Sequence, residues 1–552
     1  MITKQERRWF LGYAILVMML TSIPYMLGFM LTEFDPRFKN DWVFTGFIVG
    51  VEDGNSYIAK ELIGSYGEWL FRTPYTAYPQ HGVVAFLPYI LLGKLAAGPE
   101  LHLQLVVLFH LFRFFAGILA IMATADFLAI FVRNRILIRV GTVIATVGGG
   151  LGWLLVITGH EKIFGSIPLE FYSPETFGFL GLFGLPHLSI ARAGMLWGLS
   201  IYLKNVQRED FSTYKEGIKV GFFWCLIAFA QPVTAVVFGF IIFLSLCVTG
   251  LWLILYKIKQ QPTSMFKFRK LWTLFILSGL IPGLLILYTF LAFRLDPYLV
   301  AWMAQNNIFS PNFGHYVIAY GIMLIIGLIG IKKVINEQPW SGIFLLVWVG
   351  VFPFLAYAPV GLQRRLPEGV WVAIVCLAIL GLERLSQKRP INQFKSILYP
   401  ITGISLISTA LFLFGSLVPI FKPIPPLYRP VEEVRSFQYL NDNTVLRQVI
   451  MTSYDTGNAL PAWVRDYVLI GHGPESAHLD NLQTRIKKFY SSESSDLERL
   501  TFIKEFNVHY VFFGPNERNL GEWNPEDASY LHLKYKSNNY QIYEVENIST
   551  SN

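Results

Sequence analysis

Long apolar segments alternate with short basic segments through the first 420 residues of the chain. About 20 apolar residues cross the hydrocarbon core of a bilayer, so each long apolar segment is a candidate transmembrane helix. The candidates are residues 9–31, 82–97, 101–131, 136–158, 180–203, 218–233, 234–256, 270–293, 315–331, 341–359, 369–383 and 397–419. The pattern predicts an α-helical polytopic membrane protein.

The basic residues between these segments predict which loops face the cytoplasm, because cytoplasmic loops carry an excess of Lys and Arg. They are Arg133, Arg135, Arg139, Lys204, Arg208, Lys257, Lys259, Lys267, Arg269, Lys270, Lys332, Lys333, Arg384, Lys388 and Arg389. These clusters alternate correctly, but simple crossings from a cytoplasmic N-terminus would place Arg133 outside. Either residues 99–131 form two short crossings, or residues 82–97 form a re-entrant helix. We expect about thirteen crossings, with about eleven as the alternative.

The same alternation predicts a transmembrane domain over residues 1–420 and a different domain after it. Outward segments are then residues 32–81, 159–180, 294–314, 360–368 and everything after residue 420. Residues 421–430 are proline-rich and predict a stiff linker.

Residues 431–552 alternate helical and β-type patterns. Helical spacing covers residues 431–440 and 495–506, and β-type apolar runs cover residues 449–453, 467–470, 508–513 and 540–545. This alternation predicts a small extracytoplasmic α/β domain with a partly parallel sheet.

Composition agrees with a membrane protein and argues against a nucleic-acid-binding protein or a disulfide-rich one. Of 552 residues, 53% are hydrophobic and 15% are charged, whereas soluble domains carry roughly 25% charged residues. The net charge of +8 comes from short loop clusters, which indicates membrane topology rather than nucleic-acid binding. Cys225, Cys247 and Cys376 lie in apolar runs, so no disulfide framework is predicted. The basic residues 1–8 and the long apolar run after them predict a first helix that is retained, with the N-terminus in the cytoplasm.

The predicted outward loop 32–81 carries the main candidate chemistry. It contains Glu52-Asp53-Gly54-Asn55-Ser56-Tyr57 and, further on, Lys60 and His81. Sugar transfer needs a carboxylate as general base, aromatic faces for the sugar ring and cations for a phosphate leaving group. We therefore predict Asp53 and Glu52 as catalytic residues, with Tyr57, Lys60 and His81 binding substrate. The alternative is that Asp-Gly-Asn simply forms a turn.

Two further outward segments supply candidate ligands for phosphate or acceptor. Glu175 follows Pro174, and His187 and Arg192 lie near the start of a predicted helix. An Arg within a membrane segment is costly and is treated as functional by default. The alternatives are that Glu175 favours a helix dipole and that His187 caps a helix.

Arg364 and Arg365 lie in a predicted outward loop, against the usual distribution of positive charge. Guanidinium groups suit phosphate, so we predict an anion site there, with lipid headgroups as the alternative ligand. In the C-terminal domain, Gly471-His472-Gly473-Pro474-Glu475 could place His472 over the membrane site; alternatively it is a loop that follows a strand.

Motifs for tight metal binding and for nucleotide binding are missing from the sequence. There is no Asp-x-Asp, His-Glu-x-x-His or Cys-x-x-Cys pattern, and no Gly-x-x-x-x-Gly-Lys loop. We predict no resident cofactor, while a loosely held divalent metal stays compatible with the sequence.

The order of these parts resembles the GT-C superfamily of polytopic glycosyltransferases, which includes the protein O-mannosyltransferases and the aminoarabinose transferases. Locally, residues 52–60, Gly67-Glu68-Trp69 and His81-Gly82 are similar to uncharacterised bacterial membrane proteins of this type. The resemblance implies a polyprenyl-phosphate-linked sugar as donor, used at the outer face of the plasma membrane. It also implies a first-loop aspartate as base, which falls on Asp53, and the sparse acidic pattern favours a metal-independent monophosphate donor.

Together these observations predict an inverting membrane glycosyltransferase whose acceptor is a protein, a lipid or a glycan. In this hypothesis Arg364 and Arg365, with Arg192 and His187, stabilise the departing phosphate, and Glu52 or Glu175 orients the acceptor or replaces Asp53 as base. A transporter or flippase of a lipid-linked or small polar substrate is the alternative, and a non-catalytic scaffold is the third class. A transporter would instead be expected to show inverted repeats and ionisable groups at the membrane midplane.

Overall fold

The computed structural model describes residues 2–255, 262–387 and 390–546. Of the basic residues expected in the cytoplasm, Lys257, Lys259, Lys388 and Arg389 lie outside the described residues. Up to residue 417 the helices are α1 (Lys4–Phe34), α2 (Val51–Ser65), α3 (Leu87–Gly93), α4 (Leu101–Phe131), α5 (Arg135–Val147), α6 (Gly152–Ile157), α7 (Gly178–Gly184), α8 (Pro186–Gln207), α9 (Thr213–Ala230), α10 (Pro232–Leu255), α11 (Pro262–Leu295), α12 (Pro297–Gln305), α13 (Phe313–Glu337), α14 (Pro339–Ala356), α15 (Val370–Ser386) and α16 (Ile391–Leu417).

Among the described residues, eight helices are long and apolar enough to cross a membrane. They are α1, α4, α10, α11, α13, α14, α15 and α16. The chain is therefore a multi-pass membrane protein, as predicted. Which side each loop faces stays a prediction.

The structure corrects the predicted crossings between residues 82 and 131. Residues 101–131 form the single helix α4 of 31 residues, not two short crossings. At 1.5 Å per residue this helix is about 46 Å long. The preceding segment, 82–97, contains α3, whose seven residues extend over about 10 Å and cannot cross a bilayer. The first alternative, two short crossings, is therefore wrong, whereas a short helix in residues 82–97 is compatible with the second, in which this segment does not cross.

The chain folds as two compact units. Unit 1 comprises residues 1–22, 111–290 and 308–415, and unit 2 comprises residues 23–110, 291–307 and 416–552. In unit 1, α15 is buried along almost its whole length, and α13 packs closely against it because Gly330 and Gly381 present no side chain at the contact. Unit 2 joins the predicted first loop to the C-terminal domain.

The C-terminal part of unit 2 is an α/β domain, as predicted from its alternating patterns. Its helices are α17 (Val431–Asn443), α18 (Tyr454–Ala459), α19 (Leu479–Phe489), α20 (Asp496–Phe506) and α21 (Pro515–Arg518). Its strands are β3 (Val449–Met451), β4 (Tyr467–Val468), β5 (Val508–Phe513), β6 (Leu531–Ser537) and β7 (Tyr540–Val545), in the order β4-β3-β5-β7-β6. Strand β3 pairs in parallel with β4 and β5, whereas β7 pairs antiparallel with β5 and β6. The sheet is thus partly parallel, as predicted.

The predicted first loop is itself folded and contacts the C-terminal region within unit 2. Strand β1 (Trp42–Phe44) pairs antiparallel with β2 (Tyr428–Pro430), which is the end of the predicted linker. Ala59 of α2 and Tyr75 belong to the same buried cluster as Phe437 and Ile450. The predicted class, an α-helical polytopic membrane protein with a C-terminal α/β domain, is confirmed; the predicted domain boundaries stay a prediction.

Candidate active site

The first turn of α2 carries the two acidic residues predicted to be catalytic. The helix follows Gly50, whose φ of 63° lies in the left-handed region that favours glycine. Glu52 and Asp53 occupy the first helical turn, where the positive end of the helix dipole favours carboxylates. The turn interpretation of Asp53-Gly54-Asn55 is therefore wrong, because these three residues are helical.

A loop of the C-terminal domain, residues 471–475, lies against this first turn. It follows strand β4, so the interpretation of the segment as a loop after a strand is correct. Its position depends on close packing between two glycines. A side chain at Gly457 would lie 2.1 Å from the carbonyl oxygen of Ile470, and a side chain at Gly471 would lie 2.2 Å from the carbonyl oxygen of Gly457. The loop and helix α18 can approach this closely only because both positions are glycine.

Glu52 is held by the C-terminal domain. Its Oε1 accepts a hydrogen bond from the backbone N–H of Gly473 at 2.9 Å and another from the hydroxyl of Tyr454. Burial, and then the hydrogen bond to Glu52, raise the pKa of Tyr454 above its ordinary value, so its hydroxyl remains a neutral donor. The side chain of Asn458 also donates to the backbone carbonyl of Glu52, at 3.3 Å. Glu52 thus fixes the start of α2 to the domain.

The side chain of Asp53, the next residue, is 57% exposed. Its Oδ1 lies 3.2 Å from Nε2 of His472, whose side chain is 9% exposed. The ring of Tyr75 packs against the His472 ring, with 5.5 Å between centroids. The structure therefore brings together Asp53 and His472, which are 419 positions apart in the chain.

A buried ion pair lies behind His472. Nδ1 of His472 is 3.5 Å from Oε1 of Glu475, and the same oxygen is 2.6 Å from Nζ of Lys60. The hydroxyls of Ser56 and Thr73 also donate to Glu475, at 2.7 Å and 2.6 Å. The Lys60 and Glu475 side chains are only 1% and 2% exposed.

The electrostatic state of Glu475 follows from these contacts. Burial alone would raise the pKa of its carboxyl, but the positive charges of Lys60 and His472 and the hydrogen bonds from Lys60 and Thr73 lower it below the ordinary value. Glu475 is therefore an ionised acceptor at neutral pH. Asp53, His472, Glu475 and Lys60 form a continuous charged group, which we call the carboxylate site.

Two other predicted first-loop ligands lie elsewhere in unit 2. Tyr57 stacks on Tyr89, with ring centroids 4.7 Å apart. The side chain of His81 is 85% exposed, and its Nδ1 lies 3.0 Å from Asp296. Asp296 also caps α12 by accepting from the backbone N–H of Leu299. The structure thus pairs His81 with a helix cap and Tyr57 with an aromatic stack.

The predicted anion site of unit 1 contains a carboxylate. Glu175 is buried, and its carboxylate oxygens lie 3.5 Å from Nε of Arg365 and 4.0 Å from Nε of Arg364. The Arg364 guanidinium also lies over the ring of Tyr172, 4.9 Å from its centroid. Two guanidinium groups around one carboxylate leave one net positive charge, which suits an anion such as phosphate.

Arg192 forms a separate buried ion pair in unit 1. Its guanidinium lies 2.6 Å from Glu368 and donates to the backbone carbonyl of Pro174 at 2.8 Å. His187, the second residue of α8, is half buried. The predictions did not name Glu368 as the partner of Arg192, because the two residues lie 176 positions apart.

The sequence alone also assigned no role to several residues that link the first turn of α2 and its neighbours to the C-terminal domain. These are Ser56, Thr73, Tyr454, Asn458 and Glu475. The available signal was the occurrence of two glycine-containing polar segments, residues 453–457 and 471–475, in one domain. Nothing in the sequence indicates that both contact the first turn of α2.

Within the three described ranges, no group of three or more His, Cys, Asp or Glu side chains is arranged to hold a metal ion. The four charged members of the carboxylate site include Lys60, whose ammonium group takes the position next to Glu475 that a cation would need. The expectation of no resident metal stays a prediction.

No family model matches the chain, and no curated protein matches it in sequence. Solved structures match its fold, among them three of the oligosaccharyltransferase of Archaeoglobus fulgidus. The structure tethered with an acceptor peptide has a TM-score of 0.55 and 13% identity, over 93% of this chain and 69% of that one.

The other two are complexes of the same enzyme. The complex with an inhibitory peptide and a dolichol-phosphate has a TM-score of 0.54 and 13% identity, over 98% of this chain and 75% of that one. The complex with Zn and sulfate has a TM-score of 0.51 and 13% identity, over 96% of this chain and 73% of that one. At these identities the similarity shows the fold.

Proposed function

Because the chain has the GT-C fold predicted from the order of its parts, we propose that it is a glycosyltransferase of the plasma membrane. It moves a sugar from a polyprenyl-phosphate-linked donor to an acceptor at the outer face, with inversion at the anomeric carbon. The observation that carries this proposal is the exposed carboxylate of Asp53, held by His472 at the first turn of α2.

Asp53 is the general base of the proposed reaction. An inverting transfer needs one carboxylate to accept the proton of the acceptor hydroxyl as its oxygen bonds to the anomeric carbon. The bond from that carbon to the phosphate oxygen breaks in the same step, and the electron pair leaves with polyprenyl phosphate. Asp53 combines an exposed side chain with a histidine partner, whereas Glu475 is buried and Oε1 of Glu52 accepts from Gly473 and Tyr454.

Glu475 and Lys60 support the base without touching substrate. Glu475 is ionised and buried next to His472, with its Oε1 3.5 Å from Nδ1 of the ring, and it restricts the orientation of that ring. A His472 ring fixed in this way holds Asp53 in position for proton transfer. Lys60, predicted from the sequence as a substrate ligand, instead compensates the buried charge of Glu475. Glu52 anchors the start of α2 rather than acting as a second base.

The structures of similar fold support the proposed classes of substrate. One of them carries an acceptor peptide and another carries a dolichol-phosphate, and a polyprenyl phosphate together with a peptide or glycan acceptor is what we propose for this chain. In unit 1, Arg364 and Arg365 are the proposed ligands for the phosphate group, with the net positive charge that remains beside Glu175.

Replacement of Asp53 tests the proposed base. A strain that lacks the protein is complemented with the wild type or with Asp53→Asn, and its lipids are analysed by mass spectrometry for an accumulated polyprenyl-phosphate sugar. Loss of a general base lowers the rate about 10²- to 10⁴-fold, so we expect the variant strain to accumulate the donor as the uncomplemented strain does.

The matched control is Asp480→Asn, because Asp480 is also an exposed aspartate in the first turn of a helix. This control should restore the wild-type lipid pattern. Thermal unfolding of both purified variants shows whether they fold. A folded Asp53→Asn protein that still prevents donor accumulation removes Asp53 from the mechanism.

The arginine pair is tested by binding rather than turnover. Removing one charge-assisted hydrogen bond to a phosphate weakens binding by about tenfold or more, so Arg364→Gln and Arg365→Gln should each weaken binding of polyprenyl phosphate in detergent by that factor. Glu175→Gln, which removes the competing carboxylate, should strengthen it. Unchanged affinity in all three variants would place the phosphate elsewhere.

A further inference from the structure

Unit 2 has its own group of arginines, which lines a cleft that the proposed reaction does not use. The cleft lies between the C-terminal half of α2 and residues 446–467, with Arg72, Arg447 and Arg465 along its wall. We call these three arginines, together with Glu68, the arginine cleft. Apolar side chains, including Leu62 and Leu446, line the remaining wall.

The charges of the arginine cleft do not balance. Glu68 forms ion pairs with Arg72, at 3.3 Å, and with Arg447. Both pairs therefore share one carboxylate. The guanidinium of Arg465 lies over the ring of Tyr66, 4.0 Å from its centroid. In the part of the chain that the structure describes, Arg465 has no carboxylate within ion-pairing distance.

Asp466, the acidic neighbour of Arg465 in sequence, does not fill this role. It is buried, and its oxygens accept hydrogen bonds from the hydroxyl of Thr444 at 2.6 Å and from the backbone N–H of Gln448 at 2.9 Å. The charge of Arg465 nevertheless acts on the Asp466 carboxyl. Three guanidinium groups against Glu68 and Asp466 still leave one excess positive charge around the cleft. Arginine forks match the geometry of carboxylate and phosphate oxygens.

The ring of Tyr66 also holds Arg465 in place before any ligand binds. A guanidinium stacked on an aromatic face loses little conformational freedom when it then forms hydrogen bonds. Tyr467 lines the same cleft and offers a further aromatic side chain beside the charges. The site therefore combines fixed positive charge with an aromatic surface, a combination that suits an anionic ring compound such as an acidic sugar.

The cleft lies at the other end of helix α2 from Asp53. Asp53 and Ile63, which lines the cleft, are ten residues apart on the same helix α2. At 1.5 Å per residue this is about 15 Å along the helix. An anionic group bound in the cleft therefore does not itself contact Asp53, the proposed base.

From these observations we infer that the arginine cleft is a binding site for a carboxylate or phosphate oxyanion. Such an oxyanion could come from an acidic sugar of a glycan or from the headgroup of an anionic lipid. Arg465 is the main residue that binds this anion, and Arg72 and Arg447 add positive charge. When the anion binds, Glu68 either leaves its two arginines or shares them with the anion.

Binding assays on the purified full chain test this inference without turnover. Microscale thermophoresis in neutral detergent measures the affinity for glucuronate, inorganic phosphate and glucose. Wild-type protein should bind glucuronate and phosphate saturably and should not bind glucose. No saturable binding of either anion to a folded wild-type protein would overturn the inference.

Two variants should change the affinity in opposite directions. Arg465→Gln should weaken anion binding about tenfold, the usual loss for one charge-assisted contact, whereas Glu68→Gln should strengthen it severalfold because the competing carboxylate is removed. A merely structural role of this group predicts weaker binding in both variants, and that result would also overturn the inference. Arg435→Gln is the matched control, since Arg435 is an exposed arginine of the same domain outside the cleft. An equal loss in the control would assign the effect to net charge alone.

Nanodiscs then distinguish the two sources of the anion. If anionic phosphatidylglycerol in the disc competes with glucuronate and phosphatidylcholine does not, the natural ligand is a lipid headgroup. If neither lipid competes, it is an acidic sugar. These measurements do not depend on the proposed transfer reaction, so failure of one leaves the other standing.

Discussion

The two units of the chain use charged side chains differently. In unit 2 the buried Lys60 and Glu475 support Asp53, whose carboxylate is 57% exposed. In unit 1 the buried pair of Arg192 and Glu368 has the backbone carbonyl of Pro174 as a further partner of the guanidinium. A buried pair is costly to break, while an exposed carboxylate costs little to replace. The comparison suggests that stability and chemistry are carried by different members of the carboxylate site.

Glu475→Gln should have the largest effect on stability. It leaves the ammonium of Lys60 buried without a negative partner, and neutralising a lysine at pH 7 costs about 4.6 kcal/mol from its ordinary pKa. We expect the free energy of unfolding to fall by about 4 kcal/mol, measured by denaturant titration in detergent. The double variant with Lys60→Met should recover most of this loss. Glu505→Gln, which breaks an exposed pair with Arg485, should change the value by less than about 1 kcal/mol.

The pH dependence of the same variant checks the cause. The pKa of Glu475 is lower in the folded protein than in the unfolded chain. Its stabilisation is therefore present above about pH 4.3, the ordinary value, and is lost as the pH falls through the folded pKa. The difference between wild type and Glu475→Gln should accordingly shrink below about pH 4.3. A difference that stays constant from pH 7 to pH 3 would contradict an ionised Glu475.

Arg192→Gln makes the corresponding change in unit 1. The carboxyl of Glu368 is then left alone, but neutralising a carboxyl at pH 7 costs about 3.7 kcal/mol, less than for lysine. We expect a loss of about 3 kcal/mol in the free energy of unfolding. If Arg192→Gln lowers the free energy of unfolding by more than Glu475→Gln does, the buried ion pair of unit 2 is not the one that contributes more to stability.

Glu61→Gln should stabilise the protein, unlike the changes above. Glu61 is fully buried in α2, and neither of its carboxylate oxygens has a hydrogen-bond partner among the described residues. Burial raises the pKa of its carboxyl well above the ordinary value. The folded protein therefore holds a proton that the unfolded chain releases above about pH 4.3, and stability falls as the pH rises through this range.

Because glutamine cannot ionise, Glu61→Gln avoids this loss. We expect the variant to gain about 1–3 kcal/mol at pH 7, and the gain should disappear near pH 4 in denaturant titrations at both pH values. The exposed Glu493→Gln serves as the control and should change nothing at either pH. A variant that is destabilised at pH 7 would show that Glu61 is charged and paired in solution.

Arg365→Gln should have the smallest effect on stability. Arg365 is 33% exposed and lies 3.5 Å from Glu175, and partly exposed pairs contribute about 0–1 kcal/mol. A loss below about 1 kcal/mol in denaturant titration, together with weaker binding of polyprenyl phosphate, would separate its proposed ligand role from a structural one. A loss comparable to that of Arg192→Gln would remove this difference between the two arginines.

Much of the fold could be predicted from local patterns. Eight of the twelve apolar segments correspond to helices long and apolar enough to cross a membrane among the described residues, whereas residues 82–97, 136–158, 180–203 and 218–233 do not. The alternating elements after residue 430 predicted the partly parallel α/β domain. The errors came where the local conformational preference of a segment differs from the conformation that its tertiary contacts favour. Asp53-Gly54-Asn55 has the composition of a turn but is helical, because packing of α2 within unit 2 outweighs the weak local preference of three residues.

The candidate site was predictable in its members but not in its connections. The sequence alone determined that acidic residues follow the first long helix, that glycine-rich polar segments occur in the C-terminal domain, and that the charges cluster outside the apolar segments. Only the tertiary structure decided that Asp53 meets His472 and that Lys60 meets Glu475. Period and composition report on neighbours within about one helical turn. Contacts between residues more than 400 positions apart depend on close backbone packing, such as that of Gly457 on Gly471, which no local pattern encodes.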